Sequence, residues 1–270
     1  MTRYALRCTA CALVLSLGLG TAGLAVAASS TPANGSATAA AEQTRTIAVA
    51  EGLSSEDAAA VADGMTVRII GQYYSNLADA VEVANQNGGG TIALLADTVA
   101  TDDIAKTATI GFRTSIIIKS EGDTPLTVYR APGQTGPLLQ MTDGTVSLKA
   151  VVFDGAGEEA TSPAITISDQ AVVKFGKDLT VTGNASNGAD AAGKDTASAV
   201  SVSGKSASLT LKEGSSITGN AGSGSAIAAI YNDGATVVNE GGSVTNNTAE
   251  GGDNPNYTGT GKFKGEPFEA

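Results

Sequence analysis

The sequence predicts an all-β solenoid, in which short strands form coils that stack on one another. Three observations support this fold class. A short phrase recurs along residues 164–249, the chain contains 34 glycines, and aromatic residues make up only 4% of it. This composition suits many short strands joined by tight turns and does not suit a compact helical enzyme.

The recurring phrase pairs an apolar strand with a corner of the form Thr-Gly-Asn or Thr-Asn-Asn. Its copies end at Asn184, Asn220 and Asn247, which are 36 and 27 positions apart. A repeat that varies in length while its motif persists is typical of coils with outward loops of different size. Because one coil buries too few side chains to offset its conformational entropy, the coils must stack.

At each corner, the sequence predicts a turn conformation for one residue and an inward side chain for the asparagine that follows it. Gly183, Gly219 and Asn246 stand where a tight corner requires a positive φ. We expect the following asparagines to point inward as a ladder, in which side-chain amides hydrogen-bond from coil to coil. The polar insertion at residues 186–196 should bulge outward, and it holds the candidate ligand-binding residues Asn187, Asp190, Lys194 and Asp195.

The amino terminus has the pattern of an export signal. Arg3 and Arg7 precede an apolar segment at residues 10–19 and small residues at 25–27, which predicts a signal peptide over residues 1–27. An uncleaved membrane anchor is the alternative. Both cysteines lie in this segment, so the mature chain would have no thiol or disulfide and would be secreted or displayed at the cell surface. Residues 28–45 are predicted to be a flexible Ser/Thr/Ala/Pro spacer.

The segment 46–249 is predicted to contain the folded part of the chain. Residues 46–90 form its cap, where Ser54 and Asp57 resemble a capping box and a second helix begins near Ser75 or Asn76 and stops at Gly88. Residues 91–249 form the coils. Residues 250–270 are predicted to be a Gly/Asn/Pro-rich tail, which would leave three possibilities: it folds across the last coil, the coils assemble end to end, or the chain continues in a longer product.

The repeats resemble those of right-handed parallel β-helix proteins of the pectin-lyase-like superfamily. Ser-Ala-Ile followed after a turn by Ile-Thr-Gly-Asn-Ala is similar to the Gly-Gly-Ala-Ile and Phe-x-x-Asn repeats of polymorphic membrane proteins. The Phe position is taken here by Val181, Ile217 and Val244. The resemblance implies a right-handed parallel β-helix with a short amino-terminal capping helix, in a noncatalytic bacterial surface protein or adhesin.

β-Helix enzymes often act on acidic polysaccharides, and an active site of that kind requires acid and base side chains on one face. The chain has no histidine, which leaves Arg130, Lys149, Asp154, Lys174 and Asp178 as candidates on neighbouring coils. They do not recur as the paired aspartates or arginine motifs of that family, and we interpret them as solvated surface charges. The sequence indicates no metal site and no cofactor.

The net charge of −11 argues against nucleic acid and anionic lipid as partners, because such a surface repels both. No membrane insertion of the mature chain is expected. The leading hypothesis is therefore an adhesin-like protein that binds a glycan or a host or cell-surface protein through its outward loops. A lyase or glycoside hydrolase for acidic polysaccharide is the alternative, and a structural spacer or assembly unit without a ligand is the second.

Overall fold

The computed structural model describes residues 47–111, 113–191, 193–250 and 254–268. The predicted signal peptide at residues 1–27 and the spacer at residues 28–45 lie outside the described residues. Both remain predictions from sequence.

The described residues are dominated by short strands. In chain order their elements are α1 (Ser55–Ala62), β1 (Val67–Ile69), β2 (Gln72–Tyr74), α2 (Leu77–Gln86), β3 (Gly89–Leu94), β4 (Thr98–Val99), β5 (Ala108–Ile110), β6 (Ser115–Ser120), β7 (Leu126–Tyr129), β8 (Leu139–Met141), β9 (Thr145–Lys149), β10 (Val151–Asp154), β11 (Glu159–Ala160), β12 (Ile165–Ile167), β13 (Val172–Phe175), β14 (Thr180–Thr182), β15 (Ala185–Ser186), a 3-10 turn (Ala189–Ala191), β16 (Thr196–Ser203), β17 (Ser208–Lys212), β18 (Ser216–Thr218), β19 (Ala221–Gly222), β20 (Ala226–Asp233), β21 (Thr236–Glu240), β22 (Ser243–Thr245), β23 (Thr248–Ala249), β24 (Tyr257–Gly259) and β25 (Lys262–Gly265).

The strands form a parallel β-solenoid of about six turns, which confirms the predicted fold class. Successive coils contribute to four sheets with the strand orders β2-β1-β3-β6-β9-β13-β17-β21-β25, β4-β7-β10-β14-β18-β22, β5-β8-β12-β16-β20-β24 and β11-β15-β19-β23. We call the first of these the long sheet and the last the short sheet.

The core is built from aliphatic side chains stacked in register. One such stack on the long sheet consists of Val146, Val173, Leu209 and Val237, which are direct partners across neighbouring strands and are all fully buried. Strand residues alternate between the core and the surface, so one inward position in each coil adds to the same column. The alternation within each strand thus decides which side chains point inward, and the stacking of coils buries them.

The amino-terminal cap forms as the sequence predicts. Asn76 caps α2 by accepting a hydrogen bond from the Asp79 backbone N–H, and Gly88 lies just beyond its end. The predicted apolar face, including Leu77 and Val81, is buried against β3 and β5. The helix therefore covers the first coil, where open strands would otherwise contact solvent.

The carboxyl-terminal segment corrects the predicted domain boundary at residue 249. β24 pairs with β20 and β25 pairs with β21, so the solenoid continues into the predicted tail. Tyr257, Phe263 and Phe268 then form an aromatic cluster with ring centroids 4.9–6.0 Å apart, and it packs against the end of the core. The described part of the segment therefore folds onto the last coils.

Candidate functional site

The asparagines at the corners form a continuous polar ladder inside the solenoid. The Nδ2 of Asn184 donates to Oδ1 of Asn220 at 3.0 Å, and the Nδ2 of Asn220 donates to Oδ1 of Asn247 at 2.9 Å. Asn247 in turn donates to Oδ1 of Asn256 at 3.0 Å. All four side chains are buried. The sequence analysis did not place Asn256 in the ladder, because no Thr-Gly-Asn motif precedes it.

The corners before the ladder have the predicted left-handed backbone. The φ values are 65° at Gly183, 68° at Gly219 and 56° at Asn246. This conformation turns the chain sharply, so that the next residue points into the core. The ladder residues are therefore buried and bonded to one another, and they present little surface to a ligand. The corner residues Gly219 and Asn246 are exposed, and their role is to turn the backbone.

Arg130 lies at the opposite end of the ladder and is only 1% exposed. Its guanidinium donates to the carbonyl oxygens of Gln134 and Gly136, and its Nη2 lies 3.5 Å from Oδ1 of Asn184. Its Nε has no partner among the described residues. The interpretation of Arg130 as a solvated surface charge was wrong, because the side chain is buried and its guanidinium is bonded inside the solenoid.

Burial lowers the pKa of Arg130 to about 10, although the charge of Glu158 opposes this shift. The guanidinium is therefore still charged at neutral pH. A buried charge is stabilised by the hydrogen bonds that replace its hydration shell. Arg130 thus has a structural function, since it supplies donors to the free end of the asparagine ladder.

The structure does not gather the five candidate catalytic side chains into one cluster. Lys149 and Lys174 lie on the outer face of the long sheet, whereas Asp154 belongs to β10 in another sheet. The carboxylate of Asp154 accepts a hydrogen bond from the Ala156 backbone N–H, and Asp178 lies in the turn after β13 with a φ of 60°. Within the described residues, no side-chain hydrogen bond or ion pair joins any two of the five, and only the backbone N–H of Arg130 donates to the Asp154 carbonyl oxygen, at 3.0 Å.

A surface groove follows the short sheet across its four coils. It encloses about 460 Å³ and is lined mainly by the small side chains of β11, β15, β19 and β23. Glu159 lies at one end and Glu250 at the other. With strands about 4.8 Å apart, four strands give the groove a length of about 15 Å. An elongated groove of this kind fits an extended ligand better than a compact one.

The predicted binding loop adjoins this groove. Asn187, Asp190, Lys194 and Asp195 are all exposed, and Asn187 lines the groove directly. The Oδ1 of Asn187 accepts a hydrogen bond from the Ala189 backbone N–H at 3.0 Å, and Oδ2 of Asp190 accepts one from Ser162 at 2.8 Å. The loop is therefore held by a hydrogen bond within itself and by one from Ser162, and it keeps polar side chains available at the surface.

One tyrosine beside the loop has a perturbed titration. Partial burial raises the pKa of Tyr231, and the nearby charges of Asp195 and Asp233 raise it further. The phenol therefore stays protonated at neutral pH and can donate a hydrogen bond. Tyr231 lies on the outer side of β20, next in the coil to the sheet that carries the groove.

The described part of the chain offers neither a clustered set of metal ligands nor a membrane-spanning helix. It contains no group of three or more acidic, histidine or cysteine side chains placed to hold a metal ion. Of its helices, none has the length and apolar character needed to cross a bilayer.

These features define a parallel β-solenoid with an internal asparagine ladder, a groove along its short sheet and a polar loop beside that groove. Comparison with protein-family models, curated proteins and solved structures found no significant match. The fold is therefore established by the strand pairing of this chain alone.

Proposed function

We propose that this chain is an exported, noncatalytic β-solenoid that binds a glycan or a protein through the groove on its short sheet and the adjoining loop. We propose further that it is related to the surface proteins of the pectin-lyase-like superfamily that its repeats resemble. The observation that carries the binding proposal is the position of Asn187, which belongs to the variable loop and also lines the groove.

The chemistry of the groove supports binding of an extended, polar ligand. Side chains along it are small, so a sugar chain or an extended peptide can approach the backbone closely. The hydroxyl groups of Ser223 and Thr248 and the amide of Asn187 offer both donors and acceptors. Recognition of this kind uses many modest contacts along a preformed surface.

The enzyme alternative has less support from the geometry. Acid-base chemistry requires an acid and a base that both reach the same substrate atoms. The five candidates lie on different sheets or in the core, and Arg130 is inaccessible to a substrate. We therefore do not propose a polysaccharide lyase or glycoside hydrolase.

A glycan array and a panel of matrix proteins, probed with the mature chain and an Ala221→Tyr variant, test the proposal. Ala221 is exposed in the groove, so a tyrosine there should block it and reduce binding at least about tenfold. Ser216→Tyr adds the same side chain on another sheet and serves as the control. Absence of any ligand would favour a spacer, and equal losses in both variants would contradict the groove assignment.

Export is tested separately by sequencing the amino terminus of the protein recovered from the culture medium. A mature chain that begins at Ala28 is the expected result. Recovery of the protein only inside cells, with residues 1–27 retained, would contradict export and leave the binding experiment unaffected.

A further inference from the structure

Lysine residues are distributed unevenly over the solenoid. Six lysines lie in strands of the long sheet, whereas the described strands of the other three sheets contain no lysine or arginine. We call the outer surface of β6, β9, β13, β17, β21 and β25 the lysine face. Its lysines are Lys119, Lys149, Lys174, Lys212, Lys262 and Lys264.

Strand register aligns these lysines along the solenoid axis. Lys119 and Lys149 are direct partners on adjacent coils, which places their backbones about 4.8 Å apart. Lys174 and Lys264 occupy another row and are separated there by two intervening strands, a distance of about 14 Å. Along each row, neighbouring lysines are thus separated by one or more strand spacings in the direction of the solenoid axis.

Most of this charge is available to a partner. Within the described residues, Lys149, Lys174, Lys262 and Lys264 form no ion pair, and all four are exposed. Lys119 lies 4.0 Å from Glu121, and Lys212 pairs with Glu240. Glu240 is the only acidic residue in the six strands of the face.

The side chains beside the lysines indicate which chemical groups a partner can present to this face. The outward positions between them include serine and threonine residues, such as Thr145, Ser147 and Thr210, which can donate hydrogen bonds to oxyanions. They also include the exposed apolar side chains of Ile117 and Val172. No outward residue of these six strands is aromatic, so nothing on the face can stack a nucleobase. Lysine presents a compact point charge, which suits a phosphate group.

We propose that the lysine face binds a linear phosphate polymer that lacks nucleobases and lies along the solenoid axis. The remaining surface of a chain with a net charge of −11 repels such a polymer, so it can approach only on this face. Each lysine–phosphate contact is weak at an exposed site, and affinity comes from several contacts along one chain. A single phosphate ion therefore binds far more weakly than the polymer.

The test measures binding of the mature chain to fluorescently labelled inorganic polyphosphate at about 50 mM salt and at increasing salt. Lys149→Gln combined with Lys174→Gln should weaken binding about tenfold and reduce the slope of log affinity against log salt by about 1 to 2. Lys106→Gln combined with Lys194→Gln changes the net charge equally, at exposed loop positions whose flanking strands belong to other sheets. This control pair should stay within about twofold of the unsubstituted chain.

Three outcomes would overturn the proposal. They are absence of binding to polyphosphate, equal losses in the two double variants, and tighter binding to heparin or to phosphatidylserine vesicles than to polyphosphate. The substituted lysines are exposed, so unchanged circular dichroism and thermal melting should show that both double variants are folded. The groove variant Ala221→Tyr should bind polyphosphate normally, which separates this surface from the proposed function.

Discussion

The Nδ2 of Asn220 donates a hydrogen bond to Oδ1 of Asn247, 27 residues further along the chain, at a distance of 2.9 Å. Asn220 also donates to the carbonyl oxygens of Val181 and Thr218 and accepts from Asn184. One buried amide therefore connects three successive coils, and this relationship underlies the first prediction.

Asn220→Ala should lower the free energy of unfolding by about 2–4 kcal/mol, because it leaves several buried donors and acceptors without partners. Urea denaturation followed by circular dichroism measures the change. Asn187→Ala is the matched control, since that asparagine is exposed and should cost less than about 1 kcal/mol. Similar costs for the two variants would show that the ladder does not stabilise the coils.

Gly155→Ala should also destabilise the solenoid by about 2–4 kcal/mol. An added Cβ would lie 2.5 Å from Oδ1 of Asn184 and 2.6 Å from the Gly183 carbonyl oxygen, and the backbone there cannot yield easily. Gly157→Ala is the control in the same turn. A Cβ at Gly157 meets nothing within 4 Å, so only the positive φ opposes it, at a cost of about 1–2 kcal/mol. A smaller effect at Gly155 than at Gly157, measured by thermal melting, would contradict this close approach.

The ionisation of Asp57 should make the stability of the amino-terminal cap vary with pH in the acidic range. Burial raises the pKa of this carboxyl group, but hydrogen bonds from Ser54 and Tyr73 and the charge of Arg68 lower it below 3.8 overall. The ionised group therefore stabilises the fold above pH 3.8, and this contribution is lost as the pH falls through the lower folded-state pKa.

Asp57→Asn should cost about 1–3 kcal/mol at pH 7, and the difference from the unsubstituted chain should shrink below pH 3.8. Unfolding experiments at both pH values measure it. Asp102→Asn, at an exposed position, should have little effect at either pH. A cost that is independent of pH would mean that the charge of Asp57 is not responsible.

Phe263→Ala should loosen the carboxyl-terminal end of the solenoid. The ring of Phe263 lies 4.9 Å from that of Tyr257 and 5.4 Å from that of Phe268, so its removal opens the aromatic cluster. We expect a loss of about 2–3 kcal/mol. Because each coil contacts only its neighbours, faster hydrogen exchange should be confined to β24, β25 and the strands beside them. Thr258→Ala is the control, and uniform acceleration along the whole solenoid would contradict a local end cap.

The sequence was informative wherever a property depends on neighbouring residues. The alternation of apolar and polar residues identified the strands, and the capping residues identified both helices. It failed at Arg130 and at residues 254–268. A charged side chain gives no local sign that a later coil will cover it, and a Gly/Asn/Pro-rich segment can pair as strands when a preceding coil offers an edge.

The sequence by itself determined the solenoid class, the corner positions and the presence of inward asparagines, because backbone geometry and side-chain alternation act over a few residues. Only the tertiary structure decided which residues meet across coils. Lys119 and Lys149 share a row, Asn256 completes the ladder and Asn187 reaches the groove through inter-coil register, which depends on loop lengths and on hydrogen bonds between residues that are distant in the chain.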